Sequence, residues 1–331
     1  MEYRRLGKSG LRLSALSFGS WVTFGNQYDD TVATQLMKLA YDRGVNFFDN
    51  AEVYADGESE VIMGRVIRKL GWSRDSYCVS SKVFWGGEKP TQMGLSRKHI
   101  VDACHSALRR LQVEYLDLYY CHRPDLHTPV EETVSAMTDL IRQGKILYWG
   151  TSEWPAERII EAVLIARSRG WIAPTVEQPE YNAFSRENVE VKLRTVFEEY
   201  GVGATTWSPL ASGVLSGKYN HGIPAQSRFN VKGYEWLRDR YSTEEGQARI
   251  EKVRQLESVA KLLNTSLSEL AIAWCLNNQN VSSVILGASR VEQLEQNLGA
   301  IALLPKLTPA VLGEIEGILK NRPEGPTDYT A

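Results

Sequence analysis

The sequence predicts an α/β protein, a single (β/α)₈ barrel over residues 1–331 with an N-terminal β-hairpin and extra C-terminal helices. Three observations predict it. Short runs of Val, Ile, Leu, Phe and Tyr alternate with helical patterns along the whole chain, as buried parallel strands and their covering helices do. Eight such units, each of roughly 30 residues, follow one another. No GxGxxG follows any strand, so the phosphate fingerprint of an open doubly wound sheet is missing.

The hairpin is EYRRLGKSGLRLSAL, with Lys8, Ser9 and Gly10 in its turn. LGKSG resembles the end of a Walker motif, but Glu2 occupies the position of that motif's first glycine. The first barrel run is Leu16 to Phe18, and a helix is predicted from about Asp30 to Asp42. Strand Val45–Asp49 precedes a helix Glu58–Leu70 with Val61, Ile62, Val66 and Ile67 on one side. Strand Cys78–Lys82 precedes a helix opened by Ser96, whose Ile100, Cys104, Ala107, Leu108 and Leu111 recur at helical intervals.

After strand Leu116–Cys121, a proline and two acids (Pro129, Glu131, Glu132) sit where a helix start favours them. Strand Ile146–Thr151 leads to helix Pro155–Arg169, and strand Thr175–Gln178 to helix Glu187–Tyr200. The seventh strand is Gly203–Ser208, followed by an insertion from Pro209 to about Tyr241, rich in Gly, Ser and Asn. Helices Thr243–Leu263 and Ser266–Asn277, strand Ser283–Gly287, helix Arg290–Leu303 and a tail helix Pro309–Leu319 complete the chain.

A net charge of -2 and dispersed Lys and Arg give no footprint for nucleic acid. No apolar run approaches a membrane span and MEYRRLGKSG lacks a signal-peptide core, so a cytoplasmic protein without membrane insertion is expected. The four cysteines show no CxxC spacing and are expected to be buried thiols. The five histidines show no HxH or HxxxH pairing, and no metal is expected.

Asp49, Tyr54, Lys82 and His122 sit at the ends of three apolar runs, and in parallel strands all four emerge at one rim. An Asp beside a Lys keeps that Lys charged, and the cation stabilises a developing phenolate. A tyrosine of ordinary pKa near ~10 then becomes a competent proton donor near neutral pH. His122 at the same rim suits the orientation of a carbonyl oxygen. Together the four imply acid–base chemistry on a carbonyl.

The motifs WVTFGNQ (21–27), FFDNAEVYADG (47–57), KVFWGG (82–87), GLSRKHI (94–100), CHRPD (121–125), YWGTSEW (148–154), VEQPEYN (176–182), TWSPLASGVLSGKY (206–219), AIAWCL (271–276) and SSVILGAS (282–289) occur in this order. By them the chain resembles the aldo-keto reductases over essentially its whole length. Within that family it resembles most closely the beta subunits of voltage-gated potassium channels.

The resemblance implies an NADPH-dependent carbonyl reductase with Asp49, Tyr54, Lys82 and His122 as its tetrad. Animal channel beta subunits carry an asparagine at the position of His122, so this position matches the reductase pattern better. The chain begins at the hairpin, and channel block by an N-terminal extension is not expected.

By the same resemblance Trp21 and Asp49 belong to the cofactor site, Ser152 and Gln178 hold the carboxamide, and Trp207 stacks on the nicotinamide. Ser208, Pro209, Leu210 and Ser212 begin a loop over the pyrophosphate, to which Lys218 and Arg228 add positive charge. Gly287, Ser289, Arg290, Gln293, Gln296 and Asn297 surround the start of the last barrel helix, a natural anion site. Ser289, Arg290 and Gln293 are the implied partners of the 2′-phosphate, favouring NADP(H) over NAD(H).

Trp21, Tyr54, Phe84, Trp85 and His122 are expected to form an aromatic pocket for small aldehydes, aromatic aldehydes or quinone-like carbonyls. The alternative implied function is a cytoplasmic regulatory subunit, four-fold assembled, that docks on a potassium channel alpha subunit and reports NADP(H) redox state.

Overall fold

A computed structural model describes residues 1–21, 24, 30–224, 227 and 235–325. Ten strands form two sheets among these residues: an antiparallel pair, β1 (Tyr3–Arg5) and β2 (Arg12–Ser14), and a closed parallel barrel. The barrel strands are β3 (Leu16–Gly19), β4 (Phe47–Asp49), β5 (Cys78–Val83), β6 (Leu116–Cys121), β7 (Ile146–Thr151), β8 (Val176–Glu177), β9 (Gly203–Thr206) and β10 (Val281–Leu286). They are hydrogen-bonded in chain order, and β10 closes on β3. This is the predicted (β/α)₈ TIM barrel with its hairpin.

Alternation explains why an apolar strand delivers a lysine to the barrel axis. In β5, Cys78, Ser80 and Lys82 face inward, while Val79 and Val83 join the core between sheet and helices. Ser81 also faces outward, donating to Glu60 at 2.5 Å. The amino end of the barrel is plugged by the hairpin. Its Leu6 and Leu13, both fully buried, pack with Phe47, Cys78, Leu118, Tyr120, Val176 and Ile285. Arg4 pins the hairpin by donating to the carbonyls of Leu276 and Val281 at 2.8 and 3.0 Å.

The hairpin turn spans Leu6 to Leu11, closed by Leu6 N donating to Leu11 O at 2.9 Å. Gly7 stands at φ 54, and a Cβ there would lie 2.3 Å from Gly201 O, so the close docking of the hairpin under β9 requires glycine. With one end of the barrel closed by apolar side chains, the open carboxyl end is left for chemistry.

The helices are α1 (Asp30–Asp42), α2 (Glu58–Leu70), α3 (Arg97–Leu111), α4 (Val130–Arg142), α5 (Ala156–Arg169), α6 (Arg194–Glu198), α7 (Glu235–Ser242), α8 (Glu244–Leu262), α9 (Leu267–Leu276), α10 (Val291–Leu298) and α11 (Pro309–Leu319). Ser96 caps α3 as expected, and Ser266 with Glu269 forms a capping box on α9.

Three expectations are corrected. The helix expected over Glu187–Tyr200 is a π-helical turn, Asn188–Lys192, followed by the short α6. The insertion contains α7, a polar helix with no apolar stripe to announce it. The helix expected to reach Leu303 changes at Gly299 into a 3₁₀ segment, Gly299–Lys306.

Candidate active site

Asp49 ends β4, Lys82 is the penultimate residue of β5 and His122 follows β6, so three adjacent strands deliver three polar groups to one rim. Tyr54 arrives differently. The chain leaving β4 turns through a 3₁₀ segment, Tyr54–Gly57, in which Ala55 and Asp56 both have positive φ, 50 and 53, before Gly57 at φ 88. Two consecutive non-glycine residues in the left-handed region store strain at this turn. That turn brings the phenol back over the end of β5.

Lys82 is fully buried, and its ammonium donates to Asp49 Oδ2 at 2.5 Å, to Asn50 O at 2.8 Å and to the Tyr54 hydroxyl at 3.2 Å. The Asp49 carboxylate also accepts from Ser80 Oγ at 2.8 Å and Gln178 Nε2 at 3.1 Å. A buried charge persists only when paired and hydrogen-bonded, and this cluster satisfies that condition. Burial opposes the lysine's charge, but Asp49 and Tyr54 outweigh it and hold Lys82 above its ordinary pKa.

Tyr54 departs from the sequence expectation. Burial raises its pKa above the usual tyrosine value, and Lys82 only partly reverses this. The tyrosine therefore keeps its proton near neutral pH. The His122 imidazole is driven well below its ordinary value by burial, then by the charges of Lys82 and Arg123, so it is neutral near pH 7. Its Nδ1 is buried without a partner among the described residues. The His122 ring stands edge-on to Tyr54 and to Trp85, with centroids 5.9 and 5.1 Å away.

A cavity of about 2160 Å³ runs across the rim. Its walls include Trp21, Asp49, Tyr54, Trp85, His122, Ser152, Gln178, Trp207, Ser208, Pro209, Leu210, Ser212, Lys218, Gly287, Ser289, Arg290, Gln293, Gln296 and Asn297. Phe84 is corrected: it is not on that wall but packs behind Trp85, with ring centroids 4.9 Å apart. Arg228 lies outside the described residues. Lys82 lies beneath the wall and reaches the cavity through Tyr54.

The cavity wall combines three kinds of surface. Trp21 stands edge-on to Trp207, with centroids 5.9 Å apart and planes at 88°. On the loop after β9, Ser208, Ala211, Ser212 and Gly213 all have positive φ, and a Cβ on Gly213 would lie 2.7 Å from Lys218 Nζ. Only glycine lets that ammonium rest on the loop. At the start of α10, Ser289 Oγ donates to Gln293 Oε1 at 2.9 Å, and Arg290 precedes the helix. An aromatic wall, a cation on a tightly turned loop and polar groups at a helix start suit the parts of a dinucleotide.

Several residues at the site are not singled out by the sequence reading. Glu153, at φ 56, accepts from Trp207 Nε1 at 2.9 Å and so fixes that indole. Glu52 accepts from Phe84 N at 2.7 Å and holds the strand end that presents Trp85. Arg123 follows His122 on the cavity wall. Each is a single polar residue inside a motif that carries the resemblance, FFDNAEVYADG, CHRPD or YWGTSEW, but no periodicity distinguishes it from its neighbours.

The aldo/keto reductase family model matches residues 15–320. The chain belongs to the aldo/keto reductase family. Among curated proteins, a "Probable voltage-gated potassium channel subunit beta" of Arabidopsis thaliana is 51% identical over 330 residues, covering 99% of this chain and 100% of that protein. Membership supports an oxidoreductase, and the barrel rim described above is where a (β/α)₈ enzyme carries its chemistry. Among the described residues no single helix is long and apolar enough to cross a membrane.

Proposed function

We propose that this aldo/keto reductase reduces aldehydes or ketones to alcohols using NADPH, with Tyr54 as proton donor. The carrying observation is the Lys82 ammonium, bonded at once to the Asp49 carboxylate and the Tyr54 hydroxyl at the edge of a cavity that suits a dinucleotide. When bound, the nicotinamide supplies the hydride that reaches the carbonyl carbon. Trp21 and Trp207 would flank that ring, Ser152 and Gln178 its carboxamide, Lys218 the pyrophosphate, and Ser289, Arg290 and Gln293 the 2′-phosphate.

The side chains supply position and a proton. Tyr54 keeps its proton until negative charge develops on the carbonyl oxygen, and then gives it up. Lys82 stabilises the phenolate left behind, and Asp49 keeps Lys82 charged and in place. The neutral imidazole of His122 orients the carbonyl oxygen.

The test is NADPH oxidation by the purified protein against a panel of small aldehydes. Tyr54→Phe should lower turnover by about 10²–10⁴ while leaving NADPH binding nearly intact, as followed by fluorescence titration. Equal losses of binding and rate would reject this role for Tyr54.

A second reading rests on the plant relative, named as a probable channel subunit. Tight NADPH binding without Tyr54-dependent turnover, together with a tetrameric mass by light scattering, would shift the weight to a regulatory subunit that docks on a potassium channel.

A further inference from the structure

We infer that Arg123 is the anion-recognition group of the substrate pocket, and that the carbonyl compounds this protein takes best carry a carboxylate. The inference rests on the carbonyl-reductase reading above and names the class of substrate at the same site.

Arg123 is half-buried beside His122, on the wall that also carries Tyr54 and Trp85. Its Nη1 donates to His122 O at 2.5 Å and reaches Ser152 Oγ at 3.4 Å, and its guanidinium lies 5.5 Å from the Trp85 ring centroid. These contacts hold the side chain in place without neutralising it. Among the described residues no carboxylate lies within 4.0 Å of Arg123, and Nε and Nη2 have no hydrogen-bond acceptor.

The charge is close enough to the reacting groups to push both Tyr54 and His122 toward loss of their protons. Lys82 cannot serve a substrate anion, because its three donors go to Asp49, Asn50 and Tyr54. Lys218 rests against Gly213 in the loop after β9. A planar guanidinium with free donors, stacked on an aromatic wall, matches a carboxylate in both geometry and charge. The aromatic faces of Trp21 and Trp85 would take the apolar body between carbonyl and carboxylate.

The experiment compares 3- and 4-carboxybenzaldehyde with their methyl esters, in the wild type, Arg123→Met and Arg123→Lys. In parallel, benzoate and benzamide binding to the protein–NADP⁺ complex is measured by calorimetry. The wild type should prefer at least one acid over its ester by roughly 10- to 100-fold in kcat/KM, the range of a charge-assisted pair. Arg123→Met should erase that preference, with the loss in KM rather than kcat, and Arg123→Lys should restore part of it. Benzoate should bind tighter than benzamide in the wild type only.

Equal losses for acid and ester would overturn the inference, since Arg123 would then merely brace His122 and Trp85. So would a wild type that binds benzoate no better than benzamide. If no aldehyde is reduced but benzoate binding depends on Arg123, the anion site stands and the reductase reading falls.

Discussion

Among the described residues Arg186 and Lys82 are the buried arginine and lysine, and their surroundings differ in one respect. Arg186, 6% exposed, links the segment after β8 to α11. Its Nε and Nη2 donate to Glu190 at 2.9 and 3.0 Å, its Nη1 and Nη2 to Glu316 at 2.7 and 2.8 Å, and its Nη1 also to Asn321 at 3.2 Å. All five donors of its fork end on oxygens that have no proton to give. Lys82 is equally satisfied, with three donors and three acceptors. One of those acceptors is the Tyr54 hydroxyl, which still owns a proton and borders the cavity. Complete pairing makes a clamp, whereas pairing through a group that can pass a proton onward makes a site. Full satisfaction alone does not tell them apart.

The sharpest way to break the comparison is Lys82→Met. The variant leaves Asp49 with Ser80 and Gln178 but without its cation, 3% exposed inside the barrel. Removing one partner of a buried pair costs about 3–5 kcal/mol, and urea denaturation should show it. Turnover should fall as well. The double variant Lys82→Met with Asp49→Asn should recover part of the stability and none of the turnover. Recovery of both would mean that the ammonium matters only as a counter-ion.

How far the sequence foretold this arrangement differs between its parts. The strands were legible because burial on both faces leaves them apolar throughout, and Lys82 was conspicuous because a cation in such a run needs a reason. The reach of Tyr54 was not. FFDNAEVYADG advertises a turn through Gly57, but nothing in Ala55 and Asp56 announces two left-handed residues in succession. The burial that raises the proton affinity of Tyr54 was not legible either, since it is set by the surrounding loops and not by the strand. Helix α7 escaped because its polar composition, EWLRDRYS, matches that of the surrounding insertion. Residues 188–192 carry the spacing of an α-helix, and two turns are too few to separate that period from a π-helical one.

Glu177 sharpens the comparison from the other side, as a buried acid with no cation. It is fully buried in β8, accepting from the Thr151 hydroxyl and from Trp154 N at 3.3 Å, and no cation is within pairing distance among the described residues. Burial, helped by the charge of Glu153 and opposed by those hydrogen bonds, pushes its carboxyl up to about 8. The folded state therefore binds this proton more tightly than the unfolded chain, whose value is near 4.5. The resulting stability is fully present below pH 4.5 and is lost as pH rises toward about 8. Glu177→Gln should match the wild type near pH 5 and exceed it in melting temperature near pH 8, by an amount worth a few kcal/mol. An equal shift at both pH values would show that the carboxyl does not titrate in this window.

The smallest effect is expected at the clamp. Arg186→Leu removes five hydrogen bonds, but the side chains of Glu190 and Glu316 are 19% and 28% exposed and can take up water once released. The cost should be about 2–3 kcal/mol, below that at Lys82, where the orphaned Asp49 is only 3% exposed. Arg186 touches neither the cavity wall nor the Lys82 cluster, so turnover per folded molecule and the KM for NADPH should match the wild type below the melting transition. A drop in kcat at full foldedness would mean that α11 transmits strain to the rim, and that the boundary drawn here between clamp and site is misplaced.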